Sequence, residues 1–249
     1  MLGLTAVPLR WRWPVTSSKP VRVSIVDYGM GNLFSVGHAF ENVGASSKVT
    51  ASKAEIVDAD IVVLPGVGAF GDAMESLRRL DLIGALGDVA TSGKPLIGVC
   101  LGMELLMTTS SEFGTYQGLD IVHGDVVPFA TGGAAATRIK VPHVGWSHIY
   151  SESGANRSRD SREDSAHTWQ DAAFAGIGDN EYMYFVHSLY CEPEDTGVVT
   201  SYSRYGDVEF CSSFRQGNVF GYQFHPERSG PAGLKMYANL VSMASAGVH

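Results

Sequence analysis

The sequence predicts an α/β fold, an open and mostly parallel sheet with helices on both of its faces. Short apolar segments bounded by glycine or proline recur at residues 21–27, 61–64 and 95–99. Continuous apolar runs of this length are typical of strands buried on both faces of a parallel sheet. Between and after them lie segments whose apolar residues recur at helical spacing. Strands that alternate with helices through short links indicate an α/β domain.

The first half is predicted to contain three strands, each with a helix after it. The helices are expected at residues 32–42, 74–90 and 102–109. The first ends at Gly44, since glycine commonly follows the last helical residue. The second carries apolar residues at three-residue steps, and Gly84 weakens its helical propensity. The folded part begins at Val21, where β-branched residues favour an extended chain.

The second half is richer in strands and turns. Strands are expected at residues 126–129, 182–186, 197–202 and 220–224, and a final helix at 231–243. Residues 131–137 consist largely of glycine and alanine and predict a flexible link. Residues 151–171 are polar and of mixed charge, which predicts a loop insertion at the surface.

Residues 1–20 are interpreted as an extension without fixed structure, followed by a single domain that spans residues 21–249. The extension contains Arg10, Arg12 and Lys19 but no acidic residue, a faint likeness to a targeting segment. Pro8 and Pro14 interrupt it. It therefore lacks the continuous apolar stretch of a signal peptide.

Composition and charge argue against several classes of protein. The formal net charge of −8 disfavours a nucleic-acid binder, which needs a basic face. No stretch approaches the roughly 20 apolar residues that cross a bilayer, so no membrane partner is expected. The three cysteines are sparse and odd in number, which favours the reducing cytoplasm. No cluster has metal-ligand spacing, and residues 29–31 are too short for a dinucleotide site, so neither metal nor cofactor is expected.

Cys100 is the candidate nucleophile. It lies between a predicted buried strand and a helix that begins directly after it, with Gly98 and Gly102 on either side. This resembles the strand-to-helix elbow of hydrolases, where a sharp turn strains the backbone and glycines leave room for it. The helix N-terminus favours a thiolate and offers N–H groups to an oxyanion. On this segment alone, an ordinary buried cysteine is the alternative interpretation.

His225 and Glu227 are the candidate base and the acid that orients it. A strand leads into His225, and Pro226 ends that strand. Two residues apart in an extended chain, the two side chains point the same way. Glu227 is then placed to accept a hydrogen bond from one imidazole nitrogen while the other nitrogen faces Cys100. The order cysteine, histidine, glutamate predicts a nucleophile–base–acid triad.

Two segments carry a family resemblance. Residues 98–102 (GVCLG) and 224–227 (FHPE) together resemble class I, triad-type, glutamine amidotransferases. Further segments are similar to one branch of that family, the glutaminase subunits of imidazole glycerol phosphate synthase. These segments are residues 27–32, 64–70, 142–146, 184–188 and 225–229. The resemblance extends from residue 21 to the final helix and excludes residues 1–20 and much of 151–171.

The resemblance implies a cysteine glutaminase that converts L-glutamine to glutamate and ammonia. In that branch the ammonia passes through the (β/α)8 barrel of a cyclase subunit, with which the glutaminase forms a heterodimer. The cyclase combines it with a nucleotide-derived ribulosyl substrate. The products are imidazole glycerol phosphate and aminoimidazole carboxamide ribotide, in histidine biosynthesis.

The resemblance also implies roles for individual residues. The catalytic residues are Cys100, His225 and Glu227. The oxyanion donors are expected from the backbone of Gly66, Val67, Gly68 and Leu101, where glycines allow a peptide to flip. The substrate-binding residues are expected to be Gly102, Glu104, His187 and Ser188. The residues that face the cyclase are expected to be Asn32, His143, Trp146 and Arg228.

Three positions depart from the family pattern. Glu104 stands where the family has glutamine, Ser147 where it has asparagine, and Arg228 where it has lysine. A carboxylate at position 104 weakens glutamine binding unless it is protonated, and it repels a thiolate. A glutaminase subunit of another synthase, such as one for surface-sugar amidation, and a non-catalytic scaffold subunit are therefore alternatives. A cysteine peptidase is a third class, for which the sequence shows no peptide cleft.

Overall fold

The computed structural model describes residues 19–129, 139–151 and 169–247. The expectations for residues 1–18 and 131–137, and for 152–168 of the polar insertion, lie outside the described residues. Within the described ranges, no helix is long and apolar enough to cross a membrane.

The described ranges contain six α-helices and thirteen strands. The helices are α1 (Leu33–Asn42), α2 (Lys53–Asp58), α3 (Phe70–Arg79), α4 (Ile83–Thr91), α5 (Leu101–Leu105) and α6 (Gly230–Ala246). The strands are β1 (Arg22–Val26), β2 (Ser46–Thr50), β3 (Ile61–Gly66), β4 (Leu96–Cys100), β5 (Thr109–Ser110), β6 (Tyr116–Gln117), β7 (Gly124–Pro128), β8 (His143–His148), β9 (Tyr182–His187), β10 (Leu189–Pro193), β11 (Val199–Tyr205), β12 (Val208–Gln216) and β13 (Val219–Tyr222).

Eleven of the strands form one sheet in the order β2-β1-β3-β4-β13-β12-β10-β7-β5-β6, with β11 paired to β12. The run from β2 to β13 is parallel. Beyond β13 the pairing is mostly antiparallel. Strands β8 and β9 form a separate antiparallel ribbon. The predicted α/β fold is confirmed, and its parallel part holds the continuous apolar runs.

Helices cover both faces of the parallel strands. In β3, Ile61 and Val63 belong to a core cluster shared with α1 and α6. The alternate residues Val62 and Leu64 belong to a second cluster, shared with α2 to α5. All four side chains are fully buried. Successive side chains of a strand point to opposite faces, so a strand covered on both sides is apolar throughout.

Two helix predictions were wrong in extent. The helix expected at 74–90 is two helices, because the chain turns at Asp81, whose φ is +56°. The helix expected at 102–109 starts at Leu101 and ends at Leu105, since Thr109 and Ser110 pair with β7 instead. Sequence patterns also gave no sign of β2, α2, β5, β6, β8, β10 and β12. Strand β2 (SSKVT) lies at the sheet edge and is mostly exposed, so it carries no apolar run.

The elbow after β4 depends on direct backbone contact between α5 and the strands below it. A Cβ on Gly102 would lie 1.7 Å from the carbonyl oxygen of Leu64 in β3. A Cβ on Gly98 would lie 2.7 Å from the carbonyl oxygen of Gly102. No side chain fits at either position without moving backbone.

We expect Gly102→Ala to lower the free energy of unfolding by at least about 2 kcal/mol, because α5 must move away from β3. Gly87→Ala is the matched control, since a Cβ at Gly87 in α4 meets no atom within 4 Å. That substitution is expected to stabilise the chain by about 0.5–1 kcal/mol. Urea denaturation of both variants measures the difference, and equal effects would contradict the close contact.

Candidate active site

Cys100 lies at the carboxyl end of β4, in the middle of the parallel strands. Its backbone has φ +53° and ψ −113°. For a residue with a side chain, such a conformation costs about 1–3 kcal/mol, which the surrounding structure must hold in place. Gly66 at the end of β3 pairs directly with Cys100. The thiol therefore stands at the sheet edge where neighbouring parallel strands end.

His225 reaches the same edge from β13, which pairs in parallel with β4. Its Nδ1 lies 2.8 Å from Oε1 of Glu227. The chain between them is a 3-10 turn, Pro226–Arg228, rather than the expected extended segment. The His225 backbone is fixed by a 2.9 Å hydrogen bond from its N–H to the Tyr184 carbonyl and a 2.7 Å bond from the Ser229 hydroxyl to its own carbonyl.

The other ring nitrogen of His225, Nε2, is buried and has no hydrogen-bond partner among the described residues. Burial by itself lowers the pKa of His225, but the negative charge of Cys100 and the contact with Glu227 outweigh burial and raise that pKa to about 10. At neutral pH a His225 imidazolium can therefore stand beside the nucleophile, where it stabilises negative charge on the sulfur. Helix α5 has only five residues, so its dipole is a minor source of positive charge beside the imidazolium.

The resting thiol of Cys100 donates to the carbonyl of Val186, with Sγ and O 3.6 Å apart. The Glu227 side chain is fully buried. Its Oε2 receives a long hydrogen bond, 3.5 Å, from the hydroxyl of Tyr237 on α6. A buried carboxylate needs such partners because burial removes its hydration.

A pocket of about 230 Å³ opens beside Cys100. Its walls are Val67, Gly68, Cys100, Leu101, Glu104, Glu112, Pro142, Val186, His187, Ser188 and Leu189. The structure therefore brings most of the expected oxyanion and substrate-binding residues to one cavity. Glu112 was not among them, because it lies in a loop two residues after a two-residue strand and belongs to no recognisable motif.

The expected oxyanion segment follows β3. Val67, Gly68 and Leu101 line the pocket, and Gly66 lies behind them against Cys100. The buried hydroxyl of Tyr28 donates to the Pro65 carbonyl at 2.8 Å, which fixes the start of this segment.

Glu104 is buried in the pocket wall, where the Gln223 amide donates to its Oε1 at 3.0 Å. Burial raises the pKa of Glu104 to about 8, with a further rise from the charge of Glu112 and an opposing effect of the Gln223 hydrogen bond. At neutral pH Glu104 is therefore a neutral carboxylic acid, which both donates and accepts hydrogen bonds as an amide does.

Three expected residues have surroundings that limit what their side chains can bind. Gly102 does not line the pocket, because it is pressed against Leu64 under the elbow. His187 lines the pocket, but its Nδ1 bonds to the Leu189 carbonyl and its Nε2 to His143. Neither ring nitrogen is left for a substrate. The His143 side chain cannot face a partner, since the residue is only 2% exposed.

The other residues expected at the partner interface are accessible. Trp146 is 54% exposed and packs edge-on against Tyr184, with ring centroids 5.8 Å apart. The Arg228 guanidinium stacks on the same Tyr184 ring at 4.6 Å. Asn32 precedes α1 and is half-buried. No group of three or more potential metal ligands occurs within residues 19–129, 139–151 and 169–247.

Comparison with known proteins agrees with this geometry. The family model described as glutamine amidotransferase class-I matches residues 24–243. The imidazole glycerol phosphate synthase subunit HisH of Geobacter metallireducens is 40% identical over 218 residues, which cover 87% of this chain and 96% of that protein. The HisH subunit of Moorella thermoacetica is 42% identical over 218 residues, 87% of this chain and 92% of that protein.

Among solved structures, PurLQS from Thermotoga maritima superposes with a TM-score of 0.65 at 19% identity, over 90% of this chain and 99% of the matched chain. At that identity the match concerns the fold alone. The family model covers most of the sequence, and these two relatives are identical to it at about two fifths of the aligned residues. This chain belongs to the class I glutamine amidotransferase family.

Proposed function

We propose that this chain is the glutaminase subunit of an imidazole glycerol phosphate synthase, which hydrolyses glutamine and delivers the ammonia to a cyclase subunit for histidine biosynthesis. The observation that carries the proposal is the hydrogen bond between His225 and Glu227 at the sheet edge where β4 ends in Cys100, beside a pocket of about 230 Å³. The match to HisH subunits of that synthase, which extends over most of both chains, supports the choice of this branch of the family. The proposed location is the cytoplasm, and the proposed domain spans residues 21–249.

In the proposed reaction the Cys100 thiolate attacks the carboxamide carbon of glutamine. Backbone N–H groups of Leu101 and of the segment from Gly66 to Gly68 stabilise the oxyanion that forms. The His225 imidazolium gives its proton to the departing nitrogen, so ammonia leaves and a thioester remains. His225 then removes a proton from water, which attacks the thioester and releases glutamate.

The pocket walls offer groups for the polar ends of glutamine. Its α-ammonium requires hydrogen-bond acceptors. We assign this role to the carboxylate of Glu112, which lines the pocket. Glu112 is held by a 2.6 Å hydrogen bond from the Phe70 N–H. The α-carboxylate requires donors, for which we assign Ser188 and the acid hydrogen of neutral Glu104. A neutral Glu104 also avoids repulsion of the Cys100 thiolate.

The cyclase is proposed to dock on the exposed group formed by Trp146, Tyr184 and Arg228, with Asn32 nearby. Exposed aromatic and arginine side chains are enriched at protein interfaces. A second candidate function is a scaffold subunit without catalysis, and Glu104 is the feature that favours it. The hydrogen bond between His225 and Glu227 argues against this function. A glutaminase subunit of another synthase differs from the proposal only in its acceptor partner.

We expect glutamine hydrolysis by the purified chain to be slow alone and strongly stimulated by the cyclase subunit of the same cell with its nucleotide ligand. Cys100→Ala should lower the stimulated rate at least about 1000-fold, because the nucleophile is lost. Cys211→Ala is the matched control, a buried cysteine that does not line the pocket, and should keep the stimulated rate. Glutamate release is the measurement. An intact Cys100 that neither turns over nor reacts with a glutamine-like alkylating agent would favour the scaffold.

Glu104→Gln is expected to change how stability depends on pH. Burial raises the pKa of Glu104 from 4.5 to about 8, so the folded chain binds this proton more tightly than the unfolded chain. The resulting stability is complete below the unfolded pKa and is lost as pH rises through the folded pKa. The variant should therefore gain stability relative to the natural chain by about 1.4 kcal/mol per pH unit across that window.

Glu55→Gln is the control with the opposite sign. Hydrogen bonds from Lys48 and Thr50 lower the pKa of Glu55, so its stabilisation is present at neutral pH and lost in acid. Urea denaturation across this pH range measures both variants. A stability difference for Glu104→Gln that does not vary with pH would show that Glu104 is ionised in the folded chain.

A further inference from the structure

Ser147, His143, His187 and the Leu189 carbonyl form a continuous line of hydrogen bonds behind the pocket. Ser147 Oγ lies 2.9 Å from His143 Nε2. His143 Nδ1 lies 3.0 Å from His187 Nε2. His187 Nδ1 lies 2.6 Å from the Leu189 oxygen. All three distances fit ordinary hydrogen bonds.

Both histidines of this line are neutral. Burial lowers the pKa of His143 to about 4. The pKa of His187 falls to about 3 because burial, together with the positive charge of His225, outweighs its bond to the Leu189 carbonyl. The His143 ring lies between the rings of Tyr205 and Phe185, with centroids 4.1 and 5.1 Å away. Aromatic walls of this kind solvate a charge poorly.

Because both rings are neutral, each has one donor and one acceptor nitrogen, so all hydrogen bonds of the line donate in the same direction. A carbonyl oxygen only accepts, so His187 must carry its hydrogen on Nδ1 and accept at Nε2. His143 then donates from Nδ1 and accepts at Nε2. The hydroxyl of Ser147 must donate inward, and it offers only lone pairs to any group outside. The Leu189 carbonyl thus sets the tautomers of both rings, and the hydroxyl at position 147 supplies the donor that His143 Nε2 requires.

The two ends of the line lie at different functional surfaces. His187 and Leu189 belong to the pocket wall, and the residue before them, Val186, receives the Cys100 thiol. Ser147 follows Trp146 on β8, next to the proposed cyclase face. Because β8 and β9 pair with His143 opposite His187, the three side chains of the line all belong to one ribbon.

We propose that Ser147 and His143 are positioning residues that hold the pocket wall formed by residues 186–189 in its glutamine-binding geometry. Neither side chain touches the reacting atoms. Their effect passes through the orientation of the His187 ring, which they hold from its Nε2 side, and through the Leu189 carbonyl to which that ring donates. The proposal rests on the glutaminase function proposed above.

Ser147→Val and Ser147→Thr test the proposal as a matched pair, since the two new side chains have the same shape and only threonine keeps the hydroxyl. In the complex with saturating cyclase, Ser147→Val should raise KM for glutamine about tenfold and leave kcat within about twofold, as expected for the loss of one buried hydrogen bond. Ser147→Thr should restore KM to within about threefold of the natural chain.

Nitrogen-15 spectra of histidine-labelled chain supply a second measurement. The natural chain should show His143 and His187 both protonated on Nδ1, and Ser147→Val should shift the His143 Nε2 signal because its donor is gone. A His187 ring protonated on Nε2 in the natural chain would overturn the proposal. So would equal KM values for the two variants, or a change confined to cyclase affinity.

These results separate the two proposals. A natural complex without glutaminase activity rejects the proposed function, and with it the role of the pocket wall. An active natural complex in which valine and threonine at position 147 behave alike rejects the positioning role alone. If Ser147→Val does not fold, the tautomers of the natural chain and the KM of Ser147→Thr still decide.

Discussion

The close backbone contact between Gly102 and the Leu64 carbonyl determines the geometry of the whole site. It seats α5 directly on β3, so the chain must reverse sharply at Cys100 and accept a positive φ there. The same contact aligns Cys100 with Gly66, which brings the segment after β3 to the thiol. Since β13 pairs with the other side of β4, His225 arrives at the same edge. Because β3, β4 and β13 are parallel neighbours, their carboxyl ends place the oxyanion segment, the nucleophile and the base side by side.

The two buried glutamates of the site differ in the number of side chains that form hydrogen bonds with them. Glu227 has two partners, His225 and Tyr237, and its contact with His225 supports an imidazolium beside the thiol. Glu104 is also buried, and the Gln223 amide forms a hydrogen bond with it. Burial outweighs this hydrogen bond and raises the pKa of Glu104 to about 8. A carboxylic acid close to the nucleophile is therefore compatible with a thiolate. The same logic makes His143 and His187 neutral, since no acid offsets their burial.

The fold and the triad were predictable because they rest on local patterns. Apolar runs with glycine boundaries identify β3 and β4, and the segments around Cys100 and His225 carry their own signatures. What the sequence did not reveal depends on tertiary context. The burial of His143, the commitment of both His187 nitrogens and the place of Glu112 in the pocket follow from pairing between segments far apart in the chain. The polar edge strand β2 was not predicted for the same reason, since it is a strand through its pairing with β1 and not through its composition.

The ribbon of β8 and β9 connects the exposed aromatic face with Cys100 and with the backbone of His225. Tyr184 presents its ring to Trp146 and Arg228, while its carbonyl accepts the His225 N–H at 2.9 Å. Two residues further along the strand, the Val186 carbonyl accepts the Cys100 thiol. The Tyr184 side chain thus contacts the outer surface, while the backbone carbonyls of Tyr184 and Val186 contact the base and the nucleophile. Any protein that binds the exposed rings acts on the strand that holds His225 in place, which provides a short physical route from partner docking to the rate of glutamine hydrolysis.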